Sequence, residues 1–201
     1  PYKKTLNVIL KIVSNLNLNL KYIDLGGGFG IQYKKGEKRI NLKNYSKLVL
    51  NLKKKLKCNI IFEPGRSIVG DAGILISKIQ YIKKGQKKSF IILDAGMNDF
   101  MRPALYDASH EIIPIKKTNK KFRGPIEFVG PVCETTCKFN KYNSYQKILE
   151  NDYIAIMNTG AYGSSLSSNY NSKPLIAEIM IIKNKFKIIR KKQELSKLIN
   201  S

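Results

Sequence analysis

The sequence predicts an α/β region over residues 1–70 and a β-rich region over residues 71–201. Two observations predict this order. Up to residue 66, helical spacing of apolar residues alternates with short, near-continuous apolar segments, the rhythm of a parallel barrel or doubly wound sheet. Beyond about residue 70 the apolar period falls to two and turn residues recur, as in an antiparallel β domain.

Residues 3–19 place Leu6, Ile9, Leu10, Val13 and Leu16 at helical spacing. Tyr22-Ile23-Asp24-Leu25 is a short strand that runs into Gly26-Gly27-Gly28-Phe29-Gly30. A second helix is expected within 44–57, with Tyr45, Leu48, Leu52 and Leu56 on one face. Asn59-Ile60-Ile61-Phe62 is the next strand and ends at Glu63-Pro64-Gly65-Arg66. Residues 73–82 alternate as a long strand, Lys83-Lys84-Gly85-Gln86 reads as a turn, and residues 89–93 return. Further short strands are expected at 111–115, 126–129, 153–157, 175–182 and 186–190, with a hairpin turn at Lys183-Asn184-Lys185 and a short helix over 193–199. There are no internal repeats.

Composition excludes several classes. Hydrophobic residues make up 43% of the chain, too many for disorder over most of it. No apolar run reaches the roughly 18 residues of a membrane span, and no signal-peptide h-region follows the N-terminus. The three cysteines, Cys58, Cys133 and Cys137, are an odd, small set that favours a reducing cytosol and so a cytoplasmic location. With one histidine and no C-x-x-C pair, a metal site is not expected. The net charge of +23 suggests polyanions. Only five of the 37 basic residues are Arg, however, and a lysine excess accompanied by Ile and Asn reflects an A/T-rich coding sequence. Specific nucleic-acid readout leans on Arg, so it is not expected here. The missing initiating Met suggests a piece of a longer or processed protein.

Five segments concentrate the chemistry. Three glycines after a strand permit positive φ, and their bare N–H groups can cradle a phosphate dianion; read alone, such a triplet is more often a tight turn. Glu63 stands at a strand end, where barrel enzymes place functional groups. Arg66 and Arg102 are guanidinium forks suited to a carboxylate, and Arg102 and Tyr106 share a face of a helical turn. Cys133-Glu134 sits within Gly130-Pro131-Val132-Cys133-Glu134-Thr135, and Tyr162 within Gly160-Ala161-Tyr162-Gly163. His110 matches no catalytic motif position and reads as structural.

In order and spacing the five segments, residues 24–31, 62–66, 97–108, 130–135 and 160–163, resemble the fold-type III pyridoxal-phosphate decarboxylases, and among them those acting on diaminopimelate. The resemblance implies the C-terminal portion of a (β/α)8 barrel of the TIM type, followed by a β-rich domain. It implies pyridoxal 5′-phosphate as cofactor, with Gly26, Gly27 and Gly28 on its phosphate, the Glu63-Pro64-Gly65-Arg66 segment against it, Glu63 on the pyridine nitrogen, and Tyr162 also reaching it. Arg66, Arg102, Tyr106, Glu134 and Tyr162 would bind the substrate, meso-diaminopimelate. Cys133 would donate a proton to the substrate carbon, and Glu134 would read the distal ammonium. Relatives acting on ornithine usually show Asp after the Cys. A head-to-tail homodimer would share its sites, with Cys133 and Glu134 supplied in trans. Cys137 departs from the pattern, which has Asp there. The Schiff-base lysine motif and the ring-stacking histidine are not in this chain. The other half would have to be supplied in cis or in trans, and the isolated chain is expected to be inactive. A decarboxylase of another basic amino acid and a non-catalytic remnant stay open as alternatives.

Overall fold

The computed structural model describes residues 2–33 and 36–199. The chain divides into two compact units, the first ending at Ile68 and the second beginning at Val69.

In the first unit, helix α1 (Tyr2–Asn15) precedes strand β1 (Tyr22–Asp24), and helix α2 (Leu42–Leu56) precedes strand β2 (Asn59–Ile61). Helix α2 starts where the Asn41 side chain accepts from the Asn44 N–H at 3.0 Å. It ends where Lys57 turns left-handed at φ 54, with Lys53, Lys54 and Lys55 complementing the carbonyl end of the dipole. Tyr45, Val49 and Leu52 are its buried face. Of the five apolar positions predicted for α1, only Leu6 is fully buried. Strands β1 and β2 are parallel, with Tyr22 opposite Asn59 and Asp24 opposite Ile61.

The short helix α3 (Arg66–Val69) ends the first unit and its last residue begins the second. The strands of the second unit are β3 (Leu75–Lys84), β4 (Ser89–Leu93), β5 (Ile112–Pro114), β6 (Ile126–Val129), β7 (Lys138–Tyr142) and β8 (Tyr153–Ile156). They form one sheet in the order β5-β8-β3-β4-β6-β7. Helix α4 (Arg102–Tyr106) lies between β4 and β5. Strands β9 (Glu178–Ile182) and β10 (Lys185–Arg190) pair separately as a hairpin, and helix α5 (Leu195–Ile199) follows. Alternate residues of the sheet build the core: Ile79, Ile91, Leu93, Phe128, Ile154 and Ile156 are wholly buried. Phe128 packs edge-on against Tyr142 and Tyr145, with ring centroids at 6.0 and 5.2 Å. Burial pushes the hydroxyl pKa of both tyrosines up.

Three expectations need correction. The sheet is not wholly antiparallel, because β4 and β6 run parallel. Strand β7 was not anticipated. Lys83 and Lys84 belong to β3 rather than to the turn, because a register shift between Ile79 and Tyr81 carries the pairing to Lys84 opposite Ser89.

Candidate active site

The first unit brings the glycine loop and the Glu63 segment side by side. The Leu25 N–H donates to Ile61 O at 3.0 Å, and the Glu63 N–H donates to Gly26 O at 2.9 Å, so the parallel ladder continues past both strand ends. A Cβ on Gly27 would overlap the Glu63 carbonyl oxygen. Gly26 and Gly28 have φ of 66 and 76, a conformation that costs other residues about 1 kcal/mol or more. The Asp24 carboxylate takes the Gly26 N–H at 2.7 Å. Among the described residues, the N–H groups of Gly27, Gly28, Phe29 and Gly30 donate to no protein acceptor. Unspent amides in a loop shaped by two left-handed glycines, at the C-terminal end of a parallel strand, fit a phosphate. Phe29 and Tyr2 pack with Tyr45, at 4.9 and 5.0 Å between centroids, and the Tyr2 hydroxyl donates to Gly28 O at 3.3 Å. Burial, and secondarily the neighbouring Tyr2, raise the pKa of Tyr45. The Glu63 carboxylate is exposed, as a group needs to be to meet a ligand atom. The Arg66 guanidinium lies 5.9 Å from the Tyr33 ring.

In the second unit, Arg102 opens helix α4 and is buried, with its guanidinium 5.9 Å from the Tyr106 ring and 5.7 Å from the Tyr162 ring. Tyr162 is held at φ 62, a left-handed strain that a bulky residue keeps only where its surroundings impose it. The surroundings here are close backbone approaches: a Cβ on Gly160 would overlap Val69 O, and one on Gly163 would overlap Thr159 O. The Gly160-Ala161-Tyr162-Gly163 motif is therefore a backbone device that presents one tyrosine.

Cys133 and Glu134 occupy the tip of the loop between β6 and β7, and both are exposed. The Gly130 N–H donates to Cys137 O at 2.8 Å and closes the loop, and buried Val132 anchors it. Cys137 is buried, and its Sγ accepts from the Met97 N–H at 3.4 Å, a weak bond. The segment from Ala95 to His110 thus touches this loop through Met97. It also touches the loop after Tyr162 through Asn98, whose carbonyl accepts from the Ser168 N–H at 2.9 Å. Within the same segment the Asp99 carboxylate takes the Gly96 N–H at 2.8 Å, while burial raises its pKa.

Two residues escaped the sequence reading. The Tyr170 hydroxyl donates to Glu134 Oε1 at 2.5 Å. The buried His110 ring, read as merely structural, lies 3.4 Å from Arg102 Nε. No local pattern signals the first pair, which is 36 residues apart. For His110, being the single histidine and close behind Arg102 was the available signal. Among the described residues, no group of three His, Cys, Asp or Glu side chains could hold a metal, and no helix is long and apolar enough to cross a membrane.

The curled six-stranded sheet of the second unit, with helix α4 and the β6–β7 loop attached to it, defines a half-barrel sheet domain. Residues 12–160 match the pyridoxal-dependent decarboxylase C-terminal sheet domain, and the chain belongs to that family. The chain is 43% identical over 190 residues to the diaminopimelate decarboxylase of Helicobacter pylori, covering 94% of this chain and 47% of that protein. It is 38% identical over 196 residues to that of Aquifex aeolicus, covering 96% and 46%. The solved H. pylori diaminopimelate decarboxylase complexed with L-lysine superposes with a TM-score of 0.85 at 41% identity, covering 98% of this chain and 48% of that one. The chain spans about half the length of the relatives it matches, and it matches their C-terminal half.

Proposed function

We propose that this chain is the C-terminal half of a diaminopimelate decarboxylase, which releases CO₂ from meso-2,6-diaminoheptanedioate and yields L-lysine. The observation that carries this reading is the Cys133-Glu134 loop tip. It is exposed, it is closed by a backbone bond, and its glutamate is held by Tyr170. The substrate has an ammonium and a carboxylate at its distal end, so it needs a reader for each. Glu134 suits the first and the Arg66 and Arg102 forks suit the second. Tyr106 and Tyr162 flank Arg102 and limit the directions from which a carboxylate can approach.

The cofactor of the family is pyridoxal phosphate, and the free amides of Gly27, Gly28 and Phe29 suit its phosphate. Glu63 would hold a proton at the pyridine nitrogen, with Pro64 and Gly65 shaping the turn that presents it and Tyr162 completing the contact. The chemistry the group supplies when bound is an electron sink for the pair left on the α-carbon as CO₂ departs. Cys133 then gives its Sγ proton to that carbon, and the thiolate is reprotonated from solvent. The exposure of Cys133 and Glu134 suits delivery across a homodimer with shared sites. The barrel that the first unit would help to close, and the lysine that binds the cofactor, belong to the half this chain does not span.

The test is CO₂ release by this chain joined to the N-terminal half of the Aquifex relative. Turnover of meso-diaminopimelate is expected. Turnover of ornithine instead, or of neither, would reject the reading.

A further inference from the structure

We propose that His110 is a positioning residue for Arg102, accepting the Nε–H of the guanidinium and so fixing the orientation in which it meets a carboxylate. The inference deepens the decarboxylase reading and rests on it for the identity of the carboxylate.

The hydrogen bonds around the ring fix its state. His110 Nδ1 lies 2.8 Å from Met157 O, and a carbonyl can only accept, so Nδ1 bears the proton. Nε2 lies 3.4 Å from Arg102 Nε, and a guanidinium can only donate, so Nε2 is bare. The two partners together demand the neutral Nδ1–H tautomer. An imidazolium would set an N–H against an N–H and a second positive charge beside the first, at a position where both side chains are buried.

His110 is itself held by three contacts, two to its ring and one to its backbone carbonyl. Phe100 meets it edge-on at 4.6 Å. The Met157 carbonyl directly follows strand β8. Asn140, on β7, donates its Nδ2–H to the His110 carbonyl at 2.6 Å. Arg102 needs such a reference. It sits on a five-residue helix whose N-cap, Met101, makes no side-chain capping bond. A helix that short does not place a side chain to within the half ångström or so that recognition requires. Through His110 the guanidinium is tied to two strands of the sheet. The bond to His110 fixes the plane of the guanidinium at its Nε–H.

A histidine that merely filled space would affect stability and leave the carboxylate's grip alone. The first test uses the 201-residue chain, whose single histidine makes its ring signals unambiguous. Long-range ¹H–¹⁵N correlation is expected to show a protonated Nδ1 and a bare Nε2, unchanged between about pH 6 and 9. The opposite tautomer, or a ring titrating as a free imidazole does, overturns the proposal. The second test uses the chain joined to the N-terminal half of the Aquifex relative. His110→Asn keeps a donor toward Met157 and lacks the Nε2 acceptor, so KM for diaminopimelate should rise about tenfold with kcat little changed. His110→Gln can place an oxygen near the Nε2 position and should bring KM back to within about threefold of the parent. Equal KM for the two variants, or a loss confined to kcat, overturns the assignment. If the parent fusion releases no CO₂ while the tautomer is as stated, the decarboxylase reading has failed and the His110–Arg102 arrangement stands.

Discussion

The two units differ in how much of their structure they secure for themselves. In the second, every strand from β3 to β8 has a neighbour, and the sheet buries a continuous core from Ile79 to Ile156. In the first, β1 and β2 have three residues each and, among the described residues, pair only with one another. Apolar residues in and just after them remain open: Tyr22 is 52% exposed, Ile61 43% and Phe62 41%. The apolar content per strand is similar, so composition does not separate them. What separates them is whether the chain itself supplies the partners. Parallel strands that are apolar on both faces need other strands and helices to cover them. The first unit therefore keeps a well-formed loop on poorly covered strands, and the second is self-sufficient.

The largest expected consequence is in hydrogen exchange on the isolated chain. Amides of β4 and β8 should exchange only through global opening, and those of β1 and β2 through local opening of near-zero cost, a difference of several orders of magnitude in rate. Comparable protection in a dilute monomer would break the comparison and show that the first unit closes on itself. The same asymmetry extends to activity. The isolated chain should release no CO₂ from diaminopimelate, because no segment of it matches the motif of the Schiff-base lysine. Measurable lysine formation would refute this.

A second contrast lies in the cores. Phe128→Ala should cost the second unit about 3–5 kcal/mol, since the ring is wholly buried against Tyr142 and Tyr145. Ile61→Ala should cost the isolated chain well under about 1 kcal/mol, because the exposed side chain leaves little cavity. Denaturant midpoints followed by tyrosine fluorescence would check both. Equal losses would mean that the first unit is better packed than its exposure shows.

The division also governs what was legible in the sequence. Helices α1 and α2 and strands β1 to β4 follow from local periodicity, and the five motifs follow from glycine, proline and charged residues at loop positions. Strand β7 was hidden because Lys138-Phe139-Asn140-Lys141-Tyr142 is an edge strand with a polar outer face. The parallel pairing of β4 with β6 was hidden because the connection between them contains only the short elements α4 and β5. Contacts such as Glu134–Tyr170 and Arg102–His110 depend on where the sheet carries its loops. Local pattern cannot report them.

Within the site, the second unit should govern turnover and substrate choice. In the joined protein, Cys133→Ala should lower kcat by about 10²–10⁴ with a small change in KM, as for loss of a proton donor. An effect on KM alone would make Cys133 a packing residue. Glu134→Ala should weaken diaminopimelate binding by roughly 2–5 kcal/mol, the cost of removing one partner from a desolvated charge pair. Binding within twofold of the parent would exclude the role.

The smallest effect is expected for Tyr170→Phe, and its sign follows from the hydrogen bond. The Tyr170 hydroxyl donates to a Glu134 oxygen at 2.5 Å, and both side chains are exposed. That bond, and then the charge of Glu134, push the tyrosine pKa above its ordinary value of 10.0. A group whose pKa is raised in the folded state contributes while protonated, below pH 10, and loses that contribution only as the pH climbs through the raised value. Solvent screens the pair, so removing the hydroxyl should cost orientation more than charge. Tyr170→Phe should raise KM for diaminopimelate by a few-fold, leave kcat alone, and keep the same ratio to the parent from about pH 7 to 9.5. The parent and variant KM values converging below pH 10 would mean that the hydroxyl ionises normally. Tyr170 would then not be bonded to Glu134, and the glutamate at the tip of the β6–β7 loop would have to be held by some other group.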